Sequence, residues 1–91
     1  MTLEIKHNAS RHRFTTEVDG LDAYVEYELE GGVMAITHTI VPAAIGGRGI
    51  AGALVQAAFD HARLEGLKVA PLCSYAQAWV GKHRDYADLL T

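Results

Sequence analysis

The stretch Val41-Pro42-Ala43-Ala44-Ile45-Gly46-Gly47-Arg48-Gly49-Ile50-Ala51 leaves a β-like segment at a proline, becomes glycine-rich and then starts a helical pattern. A helix start carries backbone N–H groups without intrahelical partners and the positive end of the macrodipole, so a phosphate placed there meets several aligned donors. Glycines at 46, 47 and 49 put no Cβ between such a ligand and the main chain, and they admit dihedrals that other residues avoid. The stretch predicts a strand-to-helix loop that holds a phosphorylated cofactor.

Downstream of the loop the apolar period is helical. Ile50, Leu54, Ala57, Ala58, His61 and Ala62 form one stripe as far as Glu65, and Gly66 follows as a C-cap. Leu67 to Leu72 reads as a strand with almost no polar face, which suits a buried position beside a crossover helix. A second helix is expected from Ser74, as N-cap, to about His83, followed by a short segment bearing Tyr86, Leu89 and Leu90.

Upstream, short segments alternate: Leu3 to His7, Arg13 to Val18, and Ala23 to Leu29. In the last, Ala23, Val25, Tyr27 and Leu29 share one face, and Tyr24, Glu26 and Glu28 share the other. Asn8-Ala9-Ser10, Asp19-Gly20 and Gly31-Gly32 are turn signals, and Val33 to Val41 makes a fourth strand. The expected fold is α/β in the α+β sense. It comprises a mostly antiparallel N-terminal meander, a crossover helix, a parallel pair of strands four and five, and a C-terminal helix.

Composition limits the function classes. Ninety-one residues, 49% hydrophobic and 21% charged, fit one globular domain spanning residues 1–91. Eight basic against eleven acidic residues give a net charge of −3, which argues against a nucleic-acid partner. Lys6, His7, Arg11, His12 and Arg13 are a local positive stretch and read as a solvated strand edge or turn. One cysteine excludes an internal disulfide or an all-cysteine metal site and fits a reducing compartment, with the cytoplasm as default. Met1 to Ser10 lack the apolar core of a signal peptide, no run is long enough to span a membrane, and no histidine pair has metal-ligand spacing. Neither a metal nor a membrane partner is expected, and exposed sheet edges leave a homodimer open.

Set after a meander and before a helix, the glycine loop resembles motif A of the GNAT superfamily of acetyl-coenzyme A dependent N-acetyltransferases, Gln/Arg-x-x-Gly-x-Gly/Ala. Gly49 and Ala51 match its last two elements, and Gly46 stands at the first. Across roughly residues 24 to 90 the resemblance is to the small, single-domain GNAT-like proteins. It rests on Thr37-His38-Thr39, Val41-Pro42, the Gly47 to Ala51 loop, Gly66-Leu67-Lys68-Val69, Pro71-Leu72-Cys73-Ser74-Tyr75 and His83-x-x-Tyr86-x-x-Leu89. Ile40 stands where that family usually has an acidic residue, and Arg84-Asp85 where it has Pro-Glu.

The resemblance implies transfer of an acetyl group from acetyl-coenzyme A to an amine acceptor of unspecified identity. Strands four and five would splay apart around the thioester. The main chain at Ile40 and Val41 would hold the pantetheine arm, and the loop of Gly46, Gly47, Arg48, Gly49, Ile50 and Ala51 the pyrophosphate. Larger members add a C-terminal strand pair that shapes the acceptor site; these residues lack it, so an acceptor site that is open, completed by a partner subunit, or specialised for something large is expected.

Each candidate side chain has two readings. Cys73, at a strand end before a helix, is either a nucleophile whose thiolate the helix dipole favours, close to the thioester, or a small filler. His38 is either a base for the amine or a hydrogen-bonded strand histidine. Tyr75 either protonates the departing thiolate or belongs with Trp79 to an aromatic stripe. His83 either contacts the cofactor or answers the negative helix end, and His61 reads as structural. Gly47-x-Gly49-x-x-Gly52 also satisfies a dinucleotide fingerprint, but four strands precede it and no acidic strand end follows. A non-catalytic coenzyme A-binding protein of the same fold is the alternative to an enzyme.

Overall fold

A computed structural model describes residues 3–91. Its elements are β1 (Lys6–Asn8), β2 (Arg13–Val18), β3 (Leu21–Glu30), β4 (Val33–Ile40), α1 (Ile50–Glu65), β5 (Lys68–Pro71) and α2 (Ser74–Lys82), with 3-10 turns at Ala9–Arg11, Ala43–Ile45 and Arg84–Leu89. The five strands lie in the order β1-β2-β3-β4-β5. The first three pairings are antiparallel, and β4–β5 is parallel, as a crossover through α1 requires.

Two tight turns set the register of the meander. Asp19 and Gly20 both have positive φ, as do Gly31 and Gly32, so each hairpin closes through the turn type whose twist matches that of the strands. Val18 therefore pairs with Leu21, and Glu30 with Val33. Period-two alternation then sorts the faces. Phe14, Thr16 and Val18 of β2, Ala23, Val25 and Tyr27 of β3, and Met34 and Ile36 of β4 are buried. Arg13, Thr15, Asp22, Tyr24, Glu26 and Ala35, which occupy the intervening positions, are at most half-buried.

The helix stripe is wider than the sequence pattern. Val55 and Phe59 are fully buried alongside Ile50, Leu54, Ala58 and Ala62, because α1 is covered on a second side. Phe59 meets Trp79 of α2 at 5.2 Å between ring centroids and Tyr86 at 5.8 Å. Gly52 permits this approach: a Cβ there would lie 3.3 Å from the Tyr75 hydroxyl and 3.6 Å from Trp79 Nε1. The third glycine of the dinucleotide-like pattern thus serves helix packing. The Tyr86 hydroxyl bonds Asp60 of α1, Arg63 grips both carboxylate oxygens of Asp88 at 3.0 Å, and Lys68 Nζ reaches the Asp88 carbonyl. The His83-x-x-Tyr86-x-x-Leu89 segment is a clasp on α1 and β5.

Three boundaries differ from the sequence pattern. The first strand begins at Lys6 rather than Leu3; Leu3 and Ile5 pack against the core before it, and Thr16 Oγ1 donates to the Glu4 carbonyl. Leu29, expected on the inner face, is exposed near the Gly31-Gly32 turn. The N-cap of α2 is Cys73, one residue before the expected Ser74.

β1 is held by a histidine cluster. His7 stacks on Phe14 at 4.2 Å, faces His61 edge-on at 4.4 Å, and its Nε2 is hydrogen-bonded to the Tyr27 hydroxyl. Partial burial, then the charges of His61 and His12, lower the His7 pKa from the usual histidine value. A lowered folded-state pKa means that the stability contribution is present above about pH 6.5 and is lost as pH falls through the depressed value. Thermal melts from pH 7.5 to pH 5 are therefore expected to show falling Tm, with a smaller fall in His7→Phe, which keeps the stack and cannot titrate. An equal fall in both proteins would remove His7 as the cause.

Candidate functional site

The site begins where β4 and β5 part. Their register runs from Val33↔Lys68 to Ile36↔Pro71 and stops. The N–H groups of Leu72 and Cys73 both donate to the Ile36 carbonyl, at 3.0 and 3.1 Å, and the chain then turns into α2. Beyond Ile36 the β5-facing edge of β4 has no strand partner among the described residues.

A β-bulge decides what that edge presents. Glu26 pairs with His38 but Tyr27 with Ile36, so Thr37 is an extra residue on β4, and its hydroxyl donates to the Glu26 carbonyl. The extra residue reverses the alternation that follows. Thr39 pairs with buried Val25 and faces the helices, whereas His38 pairs with Glu26 on the open face. Hydrogen-bonding edges follow the same logic. The Tyr27 N–H donates to His12 on the β2 side, so Tyr24 and Glu26 turn theirs toward β4 and bond Ile40 and His38. Thr39, and Val41 two residues on, aim N–H and C=O into the gap. Of the two residues expected along the pantetheine arm, Ile40 spends its main chain on β3, whereas Val41, like Thr39, leaves its own toward the gap.

The gap leads to the glycine loop. Gly47 and Gly49 have φ of +76° and +78°, which side chains rarely adopt, and a Cβ at either would project into open space. The N–H groups of Gly47, Arg48 and Gly49 find no backbone acceptor among the described residues, and those of Ile50, Ala51 and Gly52 open α1. Gly46 differs, since its N–H is already bonded to the Ala43 carbonyl at 3.1 Å. It ends the 3-10 turn and donates nothing to a ligand. Val41, Ile45, Gly46, Gly47, Gly49, Ile50, Ala51 and Tyr75 line a cavity of about 290 Å³ here. A diphosphate fits such a cradle of unpaired donors. Arg48 supplies a guanidinium that is paired with Asp19 Oδ2 at 2.8 Å, across the β2–β3 turn.

The three catalytic candidates do not converge. Cys73 Sγ lies 3.3 Å from Thr39 Oγ1 and accepts the Ala76 N–H at the start of α2. His38 stands on the other face of β4, with Nδ1 3.1 Å from Thr37 Oγ1 and 3.4 Å from Glu26 Oε1; Glu26 also receives Arg13 at 2.9 Å. Tyr75 lines the loop cavity and an adjacent one with Ala78, Trp79, Lys82 and His83. His83 stacks on Trp79 at 4.0 Å, and its Nδ1 lies 2.7 Å from the Trp79 carbonyl. Sequence reasoning missed Thr39 and Asp19; the Thr37-His38-Thr39 run marked the neighbourhood, but only the bulge selects Thr39. No helix among the described residues is long and apolar enough to cross a membrane.

The chain is similar to known proteins. The family model described as GCN5-related N-acetyl-transferase matches residues 13–89. Protein NATD1 of Gallus gallus is 37% identical over 81 residues, covering 86% of this chain and 74% of that protein. The human protein of the same name is also 37% identical, with 86% and 72% covered. A GCN5-like protein from Staphylococcus aureus, solved by NMR, superposes with a TM-score of 0.76 at 31% identity, over 98% of this chain and 88% of that one.

Proposed function

The chain belongs to the GCN5-related N-acetyltransferase family, and on that premise we propose that it binds acetyl-coenzyme A along the gap between β4 and β5 and passes the acetyl group to an amine. The observation that carries this reading is the unpaired β4 edge at Thr39 and Val41, running directly into the unpaired N–H groups of Gly47 to Ala51. Phosphates take the loop, with Arg48 turning from Asp19 toward them. The arm lies along the β4 edge, and its end reaches the floor of the gap, where Ile36, Thr39 and Cys73 meet. Acetyl-coenzyme A supplies the activated acyl group.

The positions favour direct transfer. An acceptor approaching over the open sheet face meets His38 first, and His38, held by Glu26 and Thr37, is placed to take the amine proton. The amine nitrogen forms its bond to the acetyl carbon as the C–S bond breaks, and the sulfur leaves with a proton, for which Tyr75 is the donor among the gap-side residues. Cys73 faces the other way and caps α2, so it shapes the floor rather than carrying the acetyl group. A free thiol at this position suits a reducing compartment such as the cytoplasm.

Thiol release from acetyl-coenzyme A with a panel of amines tests the transfer, and calorimetry with coenzyme A tests the binding. Binding without thiol release would leave a coenzyme A-binding protein; no binding would reject both. Cys73→Ala is expected to keep activity, and an acetyl adduct on Cys73 in mass spectrometry would overturn direct transfer. Arg48→Ala is expected to weaken coenzyme A about three- to tenfold, by loss of one charged phosphate contact. Its Tm should barely move, because exposed ion pairs contribute about 0–1 kcal/mol. Unchanged affinity would remove Arg48 as a phosphate ligand.

A further inference from the structure

The sheet face opposite the helices carries a groove that the acetyl-donor site does not use. It has a volume of about 460 Å³ and is lined by Glu28, Leu29, Glu30, Val33, Ala35 and Leu72. Glu28 pairs with Ala35 and Glu30 with Val33, so the two carboxylates stand along one side of a floor made by Val33 and Ala35. Leu72, 62% exposed, forms the other side. Glu26, next in the same row, is occupied by Arg13 and His38, but Glu28 and Glu30 have no cationic partner among the described residues.

The groove also has a direction. Its Glu30–Val33 end lies at the Gly31-Gly32 turn, and its Glu28–Ala35 end lies one rung before the β4–β5 ladder stops at Ile36↔Pro71. There Leu72 precedes Cys73, and both donate to the Ile36 carbonyl at the floor of the gap. An occupant of the groove therefore points one end into the gap. Side chains two residues apart on a strand face repeat at roughly 6.6–6.8 Å, close to the spacing of ammonium groups separated by a few methylenes.

We propose that this groove is the acceptor site and that its occupant is a linear aliphatic polyamine. The inference rests on the transferase reading above. The methylene chain lies on Val33, Ala35 and Leu72, ammonium groups pair with Glu28 and Glu30, and the terminal amine extends past Glu28 toward the gap. The terminal ammonium first loses one proton to solvent as it enters the gap; the neutral amine nitrogen then bonds to the acetyl carbon and gives up a second proton, the C–S bond breaks, and the coenzyme A sulfur leaves with one proton. The other ammonium groups stay protonated and paired.

Two measurements separate this site from the transferase reading. In NMR titrations, spermidine is expected to shift the amides of Glu28 to Ala35 and Leu72, with shifts suppressed by high salt and by Glu28→Gln/Glu30→Gln. In acetylation assays, spermidine is expected to exceed n-hexylamine in kcat/KM about tenfold, most of which the double variant loses, while its coenzyme A affinity by calorimetry stays unchanged. Groove shifts with no thiol release from any amine would keep a polyamine site and reject the transferase, whereas thiol release with other amines but no acetylspermidine would overturn the groove as acceptor site. No shifts at millimolar spermidine, shifts elsewhere, no preference over hexylamine, or preference for a lysine-containing peptide would each overturn the polyamine site.

Discussion

Gly49→Val is expected to reduce coenzyme A affinity at least about a hundredfold, the equivalent of losing one or two charge-assisted N–H contacts worth about 1.5–3 kcal/mol each. Gly49 is the N-cap of α1 with φ +78° and ψ 11°, a conformation that a β-branched residue adopts only under strain of about 1–3 kcal/mol. The variant relieves that strain by rotating the peptides on either side, and those peptides carry N–H groups of the loop that have no backbone acceptor among the described residues. Where the backbone resists, the new side chain projects into the space above the cradle, which nothing else fills within 4 Å. Both routes remove the ligand while sparing the core, because Gly49 is exposed. Calorimetry with coenzyme A and a thermal melt check the two halves. Affinity within about threefold of the parent would mean that phosphate is not held at this helix start.

Phe59→Ala should be the most destabilising truncation, at about 3–5 kcal/mol, the usual cost of removing a fully buried phenylalanine. Phe59 has no exposed surface and lies where α1, Trp79 and Tyr86 meet. Its removal loosens α2 and the C-terminal clasp from the sheet together. For a domain this size, about 1 kcal/mol corresponds to roughly 4–8 °C, so Tm should fall by on the order of 15–30 °C, and a domain of ordinary stability is left close to unfolding at physiological temperature. Phe59→Leu, which keeps most of the volume, should recover more than half of the loss. Equal melts for Phe59→Ala and the parent would mean that the three elements do not share one core.

The fold was legible where local pattern and tertiary contact coincide. The period of α1, its glycine terminus and the two glycine hairpins appear at the expected positions, because turn chemistry and amphipathic period act within a few residues of themselves. Phe59 and Val55 fell outside the expected stripe because a second covering layer, α2 and the Arg84–Leu89 turn, is folded from residues distant in the chain. At the site, the glycine loop and its exposed N–H groups follow from residues 46–52 alone. The open edge of β4 did not. Which residues of Thr37-His38-Thr39-Ile40 turn their main chain into the gap depends on Thr37 being extra, and it is extra only relative to β3.

By itself the sequence determined the order of elements, the helix-start loop and the residues able to carry charge, proton or thiol there, since each is a property of neighbouring residues. The tertiary structure decided which way those residues look. Placing His38 and Cys73 on opposite faces, opening Thr39 and Val41 to the gap, tying Arg48 to Asp19 and setting Glu28 and Glu30 beside an apolar floor all depend on pairing between segments far apart in the chain. A bulge is a relation between two strands, and a strand edge is free only by reference to the neighbour that leaves it.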